Sequence, residues 1–278
     1  SLTSVTIGDS VTTIGGDAFN ACDALQQINW DAVAVNDFDY GERPFYDSGD
    51  TNGMVVTFGD NVQSIPANAF RDCYNLTSVT IGDSVTTIGE YAFANCAGLT
   101  SVMIPDSVVS IGSNAFDACT QLSETENGVS YVDKWAIDFD DSVAEVILRN
   151  DTVGIADYAF RDCDSLTSVT IPDLVVTIGR SAFDGCIGLT SVTIPDSVTT
   201  IGEYAFSGCH KLIEVYNKSN LNITAGSKDN GYIGFYAENV YTDEGESKLT
   251  YTDDDYLFYS DTNKAYLMGY YGNDTELT

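Results

Sequence analysis

The sequence is poor in basic residues and in histidine, and both shortages exclude classes of function. Its 278 residues hold 11 lysines and arginines against 42 aspartates and glutamates, a formal net charge of −31. A surface this acidic repels the phosphates of nucleic acids and of anionic lipids, so we expect neither as a partner. The single histidine, His210, has no serine or cysteine nucleophile in a recognisable frame, which indicates an ordinary surface residue.

Long hydrophobic runs and a secretion signal are also missing. Because no run of about 18 apolar residues occurs, we expect no direct insertion into a membrane. The composition, 44% apolar and 19% charged, still suffices for a buried core. Residues Ser1 to Ile7 already lie inside the repeated motif described next. We therefore expect the chain to be part of a longer protein, with any signal upstream.

The dominant feature is a repeat, L-x-x-V-x-I-x-D-S-V-x-x-I-G-x-x-A-F-x-x-C, with neighbouring copies spaced 23 residues apart. Val79 and Ile81 alternate with Thr80, which is the periodicity and the composition of a strand. One such coil cannot bury its apolar side alone, but a stack of coils can. The repeat predicts a β-rich leucine-rich-repeat solenoid with 23-residue coils and a parallel sheet. Its best copies begin at Leu2, Leu76, Leu99, Leu166 and Leu189, and divergent copies begin at Gly53 and Val143.

Three segments break the repeat, and the chain is predicted to be one solenoid over residues 1–278 despite them. Regular repeats cover 1–212, interrupted by an acidic, aromatic loop at 30–52 and by an insert at 123–142. Alternating apolar positions in the second insert predict a β-hairpin that turns at Asp138–Ser142. The tyrosine-rich segment 213–278 is predicted to be degenerate repeats with a hairpin that turns at Asp261, Thr262 and Asn263.

Two columns of the repeat predict a structural ladder inside the solenoid. Equivalent residues of adjacent coils stand about 4.8 Å apart, whereas a disulfide needs Cβ atoms about 3.8 Å apart. We therefore expect reduced, buried thiols that act as small apolar filler, with one or two disulfides or a metal site as alternatives. The ladder comprises Phe70, Phe93, Phe116, Phe160, Phe183 and Phe206, with Cys73, Cys96, Cys119, Cys163, Cys186 and Cys209, and Cys22 shares the cysteine position.

A column of aspartates has two interpretations. Aspartate accepts backbone N–H bonds in turns, and three members of the column follow proline. A row of calcium sites is the alternative, although the glycine-rich nonapeptide and the D-x-D-x-D-G loop are both absent. No metal or cofactor is therefore expected. The column consists of Asp9, Asp60, Asp83, Asp106, Asp173 and Asp196.

The stretch LTSVTIPDSVTTIGEYAFSGC, residues 189–209, closely resembles the BspA-like leucine-rich repeats of bacterial and protist surface proteins. The resemblance is strong over about residues 1–212 and weaker beyond. It implies secretion, an extracellular or cell-surface location, and adhesion to host proteins or other microbes. The family's pattern contains no catalytic residues, so none is carried over and no enzyme is expected.

Because the coils have nearly the same sequence, we expect functional residues where the coils differ or on the outward face of the sheet. The threonines at outward strand positions are explained either by the strand propensity of threonine or by recognition of a ligand. The tyrosines of residues 213–278 either pack degenerate coils or bind a partner. We expect a non-catalytic module that binds a protein or glycan ligand, with a structural spacer as the alternative. Candidate ligand-binding residues are Thr80, Met103, Thr170, Thr193, Trp30, Trp135, Tyr232, Tyr236, Tyr256 and Tyr259.

Overall fold

The computed structural model describes residues 2–242 and the backbone of three later strands. Ten coils follow one another, with first residues Leu2, Leu25, Gly53, Leu76, Leu99, Leu122, Val143, Leu166, Leu189 and Leu212. The strands are β1 (Ser4–Ile7), β2 (Gln27–Trp30), β3 (Met54–Phe58), β4 (Ser64–Ile65), β5 (Leu76–Thr80), β6 (Thr87–Ile88), β7 (Ser101–Met103), β8 (Ser110–Ile111), β9 (Glu124–Glu126), β10 (Val129–Val132) and β11 (Trp135–Phe139). They continue with β12 (Glu145–Ile147), β13 (Gly154–Ile155), β14 (Ser168–Thr170), β15 (Thr177–Ile178), β16 (Ser191–Ile194), β17 (Thr200–Ile201), β18 (Glu214–Asn217), β19 (Asn239–Tyr241), β20 (Leu249–Tyr251), β21 (Tyr256–Asp261) and β22 (Lys264–Tyr270).

Coils 3 to 5 and 7 to 9 each contribute one longer strand and one two-residue strand. The longer strands form the main sheet, which is divided into the groups β1-β2-β3-β5-β7, β12-β14 and β16-β18-β19. Within a group, parallel neighbours of regular coils pair across 23 residues, as Val79 does with Val102. The short strands form a second, narrow sheet with the same spacing, as in the pairing of Ile88 with Ile111. This sheet is divided into β4-β6-β8 and a second group that contains β13, β15 and β17. Valine and isoleucine at the inward positions are buried, whereas the residues between them face outward. The predicted solenoid with its parallel sheet and 23-residue coils is confirmed.

The phenylalanine stack runs through the buried core of the solenoid. Neighbouring rings lie 4.9–5.7 Å apart from Phe45 through Phe116, and 4.9 and 5.1 Å apart from Phe160 through Phe206. In the second half Phe139, from β11, extends this stack to Phe160 at 5.1 Å. The predicted phenylalanine ladder is therefore observed, with the hairpin supplying one of its rings.

The cysteines form the second ladder, and all seven are free thiols. Six are buried, and Cys22 is half-buried. Four of the buried thiols donate a hydrogen bond to the phenylalanine carbonyl of the preceding coil, at 3.0–3.1 Å. The thiols are thus donors between coils as well as apolar filler, which the sequence analysis did not predict.

Residues 30–52 are not a loop that interrupts a coil, so that prediction was wrong. They complete coil 2, which is longer than the others because Ile28 pairs with Val56 rather than with a residue 23 positions later. Phe45 stacks on Phe19 at 4.9 Å, and the Ser48 hydroxyl donates to the Phe19 carbonyl as the cysteines do elsewhere. Coil 2 is five residues longer than the 23-residue repeat, so the sequence pattern did not identify it as a coil.

The hairpin within residues 123–142 is confirmed, but its turn is not at Asp138–Ser142. Strand β11 runs through Phe139, and the turns lie before it: Asn127–Gly128 joins β9 to β10, and Asp133 begins the link from β10 to β11. Asn127 and Gly128 both have positive φ, 51° and 79°, as an Asn-Gly hairpin turn requires. Strand β11 then pairs in parallel with β13, which attaches the hairpin to the narrow sheet.

The second predicted hairpin also has its strand pairing. Strands β21 and β22 are antiparallel, with Asp261 opposite Lys264. The turn residues Thr262 and Asn263 lie outside the described residues, as do the side chains of this hairpin.

Candidate binding surface

The outward positions of the main sheet form a row along the solenoid. In register, Thr57, Thr80 and Met103 follow one another in the first half, and Ile147 and Thr170 in the second. Thr80 and Thr170 are exposed and Thr193 is half-exposed, so these predicted ligand-binding residues do reach the surface. Met103 and Ile147 interrupt the polar row as large apolar side chains, 81% and 64% exposed.

Trp30 and Trp135 are both buried, so neither presents the exposed ring expected of a ligand-binding residue, and Trp135 only lines the wall of a cleft. Trp30 occupies an inward position of β2, is fully buried, and donates from Nε1 to the carbonyl of Ala32 at 3.1 Å. Trp135 is 2% exposed and packs on Gly154, where an added Cβ would lie 2.5 Å from the indole ring. Both tryptophans fill the core because inward strand positions select for apolar volume.

Coil 2 builds a surface cluster that the sequence analysis missed, here called the arginine–tyrosine cluster (Tyr40, Arg43, Tyr46, Arg71, Asp72, Tyr74 and Tyr91). The guanidinium of Arg71 lies 3.6 Å from the ring centre of Tyr40 and 5.1 Å from that of Tyr91. Its Nη1 donates to the Tyr40 carbonyl at 3.3 Å. Tyr40 is nevertheless 67% exposed, so the arginine holds a large aromatic ring in place at the surface.

The other half of the cluster is organised by the Asp72 carboxylate. Arg43 Nη1 donates to Asp72 Oδ2 at 2.5 Å, and Asn95 Nδ2 donates to the second oxygen at 2.7 Å. The hydrogen bond to Asp72 raises the pKa of Arg43, whose guanidinium also lies 4.6 Å from the ring centre of Tyr46. A buried, fully engaged carboxylate thus fixes the position of a basic and aromatic surface in an otherwise acidic protein. The signal in the sequence was the concentration of Tyr40, Arg43 and Tyr46 in the extra length of coil 2.

Tyr232 and Tyr236 lie in a second group, here called the distal aromatic cluster (Tyr204, His210, Lys228, Tyr232, Phe235 and Tyr236). Tyr232 stacks on Tyr204 at 5.6 Å, and Phe235 contacts both Tyr232 and Tyr236 edge to face. Both predicted tyrosines are half-buried, so they pack the coil and also contribute to the surface. Tyr256 and Tyr259 belong to β21, and their side chains lie outside the described residues.

The aspartate column is a column of turns. The N–H of Val108 bonds to the carbonyl of Pro105 at 3.0 Å and closes a turn around Asp106, and the same bond recurs at Val175 and Val198. The side chains of Asp83, Asp106 and Asp173 are exposed. Over the part of the chain that the structure describes, no group of three or more histidine, cysteine or carboxylate side chains is placed to hold a metal ion.

The family model for the BspA type leucine-rich repeat region matches residues 1–48, 41–139 and 138–229, with six copies of the repeat. The chain belongs to this family. The matched residues include coil 2 and the hairpin coil.

Several solved structures resemble this BspA-type chain. A leucine-rich cell surface protein from Faecalibacterium prausnitzii is 25% identical, with 88% of this chain and 80% of that chain covered and a TM-score of 0.40. A leucine-rich repeat protein from Eubacterium ventriosum is 19% identical, with coverage of 86% and 72% and a TM-score of 0.41. The pneumococcal vaccine antigen PcpA is 17% identical, with coverage of 86% and 67% and a TM-score of 0.37. A search of curated proteins gave no match.

Among the described residues, no helix is long and apolar enough to cross a membrane.

Proposed function

We propose that this chain is a non-catalytic binding module displayed at a cell surface, where it attaches to proteins or glycans of a host or of neighbouring cells. Membership in the BspA-type repeat family supports a repeat-based binding module. The acidic net charge of −31 argues for partners other than nucleic acid or anionic lipid.

One observation carries the proposal: the arginine–tyrosine cluster places rigid aromatic and guanidinium groups at the surface. Tyrosine and arginine are the residues most enriched, with tryptophan, at the energetic centres of interfaces. Tyr40 is 67% exposed, so it adds little to the core, and yet Arg71 fixes its ring at 3.6 Å. A fixed ring loses little conformational entropy when a partner covers it, which favours binding.

The test is a binding screen of the chain against immobilised matrix proteins and glycans at two salt concentrations. Tyr40→Ser removes the exposed ring of the cluster and leaves the core intact. Tyr158→Ser is the matched control, because Tyr158 also lies beside an arginine, Arg161 at 5.3 Å, but belongs to neither cluster. Circular dichroism confirms that each variant keeps the fold.

We expect a saturable interaction that weakens by about tenfold in Tyr40→Ser and stays unchanged in Tyr158→Ser, the loss typical of a hot-spot residue. Binding that survives Tyr40→Ser contradicts the role of the cluster and transfers it to the distal aromatic cluster or the strand face. No binding across a broad panel contradicts the proposal as a whole and favours a structural spacer for neighbouring domains.

A further inference from the structure

The main sheet is broken between β7 and β12 and again between β14 and β16. Among the described strands, the first break, at the hairpin coil, leaves the edge of β7 without a neighbouring strand. Residues 124–126 stand 23 positions after β7, where the next main-sheet strand is due, but they form β9 and pair with β10 in the hairpin. In the described part of the chain, β7 consequently pairs with β5 alone and β12 with β14 alone. An edge strand presents backbone N–H and C=O groups that another chain can pair with.

A cleft lies beside the edge of β7. It has a volume of about 610 Å³ and is lined by Met103, Ile104 and Pro105, with carboxylates from Asp83, Asp106 and Asp133. It adjoins a smaller cleft of about 220 Å³ that shares Ile104, Pro105 and Asp106. The walls of the smaller cleft add mostly apolar residues, namely Val108, Val109, Trp135, Val153 and Val176. Together they are large enough to accept several side chains of an extended peptide.

At this open edge, one backbone N–H donates to a carboxylate instead of to the carbonyl of a neighbouring strand. The N–H of Ile104, which continues β7, donates to Asp133 Oδ2 at 3.0 Å. Asp133 is itself fixed, since Arg149 donates to its carbonyl oxygen at 2.8 Å and lies 4.5 Å from the Tyr131 ring. The Ile104 N–H therefore points away from β5 toward a side-chain oxygen, in the direction in which it would donate to a carbonyl of an added strand in exchange.

The side chains around the edge define what such a strand should carry. Met103 is 81% exposed at a position where regular coils have threonine, and methionine adapts its shape to apolar partners. The cleft beside it holds three carboxylates and one lysine, Lys134. Apolar contact at Met103 and an acidic rim therefore complement a strand that carries both apolar and basic side chains.

We propose that β7 and this cleft bind an extended segment of a partner protein, rich in lysine or arginine, which adds to β7 as a further strand. Main-chain hydrogen bonds supply affinity, and the alternate side chains supply specificity for basic residues facing Asp83 and Asp106. This inference rests on the proposed function, because it assigns a partner chemistry and a place to the binding module.

The probe is a library of eight-residue peptides that alternate apolar residues with lysine or arginine, measured by fluorescence anisotropy with the whole chain. A matched library with glutamate in place of the basic residues is the control. Asp106→Lys reverses charge at the cleft, and Asp173→Lys makes the same change in the same Ile-Pro-Asp turn three coils later. Met103→Thr restores the residue that regular coils have.

We expect basic peptides to bind and glutamate peptides not to bind, with affinity about fivefold or more weaker in Asp106→Lys and in Met103→Thr and unchanged in Asp173→Lys. Alternate N-methylation of the peptide backbone should abolish binding, because it removes the strand's hydrogen bonds. Equal loss in Asp106→Lys and Asp173→Lys would show attraction to net charge alone and overturn the proposal.

Two further outcomes also overturn it. A concentration-dependent dimer in analytical ultracentrifugation that Met103→Thr abolishes would make this edge an interface between two copies of the chain. Binding to an immobilised matrix protein that depends on Tyr40 but not on Asp106 would leave the proposed function standing and remove the strand-addition site.

Discussion

Replacing Cys186 separates the two roles that its thiol plays. Cys186 is fully buried, and its Sγ lies 3.0 Å from the carbonyl oxygen of Phe160 in the preceding coil. Coil 2 has a serine at this position, Ser48, whose hydroxyl makes the equivalent bond to Phe19. If the hydrogen bond matters, serine should substitute for cysteine and alanine should not.

The expected magnitudes follow from those contacts. Cys186→Ala loses one hydrogen bond, worth about 1 kcal/mol, and leaves a void near the size of a methyl group, which costs about 1 kcal/mol more. The total loss of unfolding free energy is then about 2 kcal/mol. Cys186→Ser keeps the donor and loses only part of the apolar burial, so we expect a loss below about 1 kcal/mol.

Urea unfolding under reducing conditions, followed by circular dichroism, measures the difference. The slopes of the unfolding curves need comparison as well, because repeat proteins lose coils separately when one interface weakens. The same substitutions at the half-buried Cys22 serve as the control and should have smaller effects. A serine variant as unstable as the alanine variant would refute the hydrogen-bond role and reduce the column to apolar filler.

Three further predictions use other parts of the solenoid. A thiol reagent at neutral pH should label Cys22 in the folded chain before the six buried cysteines, because burial raises the pKa of thiols such as Cys73; equal labelling of all seven contradicts this. Burial raises the pKa of Asp157, so its charged form weakens the fold above that pKa, and the penalty disappears as the pH falls through it. Asp157→Asn, which still accepts the Arg180 N–H, should therefore raise the melting temperature at about pH 7 and not at about pH 3, and an equal gain at both would refute the cause. Gly128→Ala should lower the melting temperature more than Gly226→Ala, since both have φ near 80° but only the first Cβ meets an atom, Asp140 Oδ1 at 2.7 Å; equal losses would show that the contact is irrelevant.

The regular coils were predictable because the same residue types recur at equivalent positions of every repeat. Val79 and Val102 occupy the same position of the 23-residue repeat, so stacking of their coils places them side by side, and they are paired in the sheet. The phenylalanine and cysteine columns follow in the same way. Coil 2 escaped because five extra residues moved Phe45 and Ser48 out of the pattern, although the chain still returns both to their columns.

The surface was less predictable because it depends on which neighbours the stack brings together. Tyr40 meets Arg71 only because coil 2 lies on coil 3, a contact across 31 residues. The burial of Trp30 and Trp135 was not predicted, because an aromatic residue in an irregular segment is as consistent with ligand binding as with packing in the core. The hairpin turns, in contrast, carried a local signal in Asn127–Gly128 that the alternation pattern obscured.

We place binding at the positions where coils depart from the repeat. Hydrogen–deuterium exchange of the chain, alone and with a partner captured in the binding screen, tests this most directly. We expect protection within residues 38–46, 101–107 or 228–236, with little change in the equivalent positions of regular coils. Protection spread evenly over equivalent positions of every coil would instead make the uniform repeat itself the binding surface and refute this expectation.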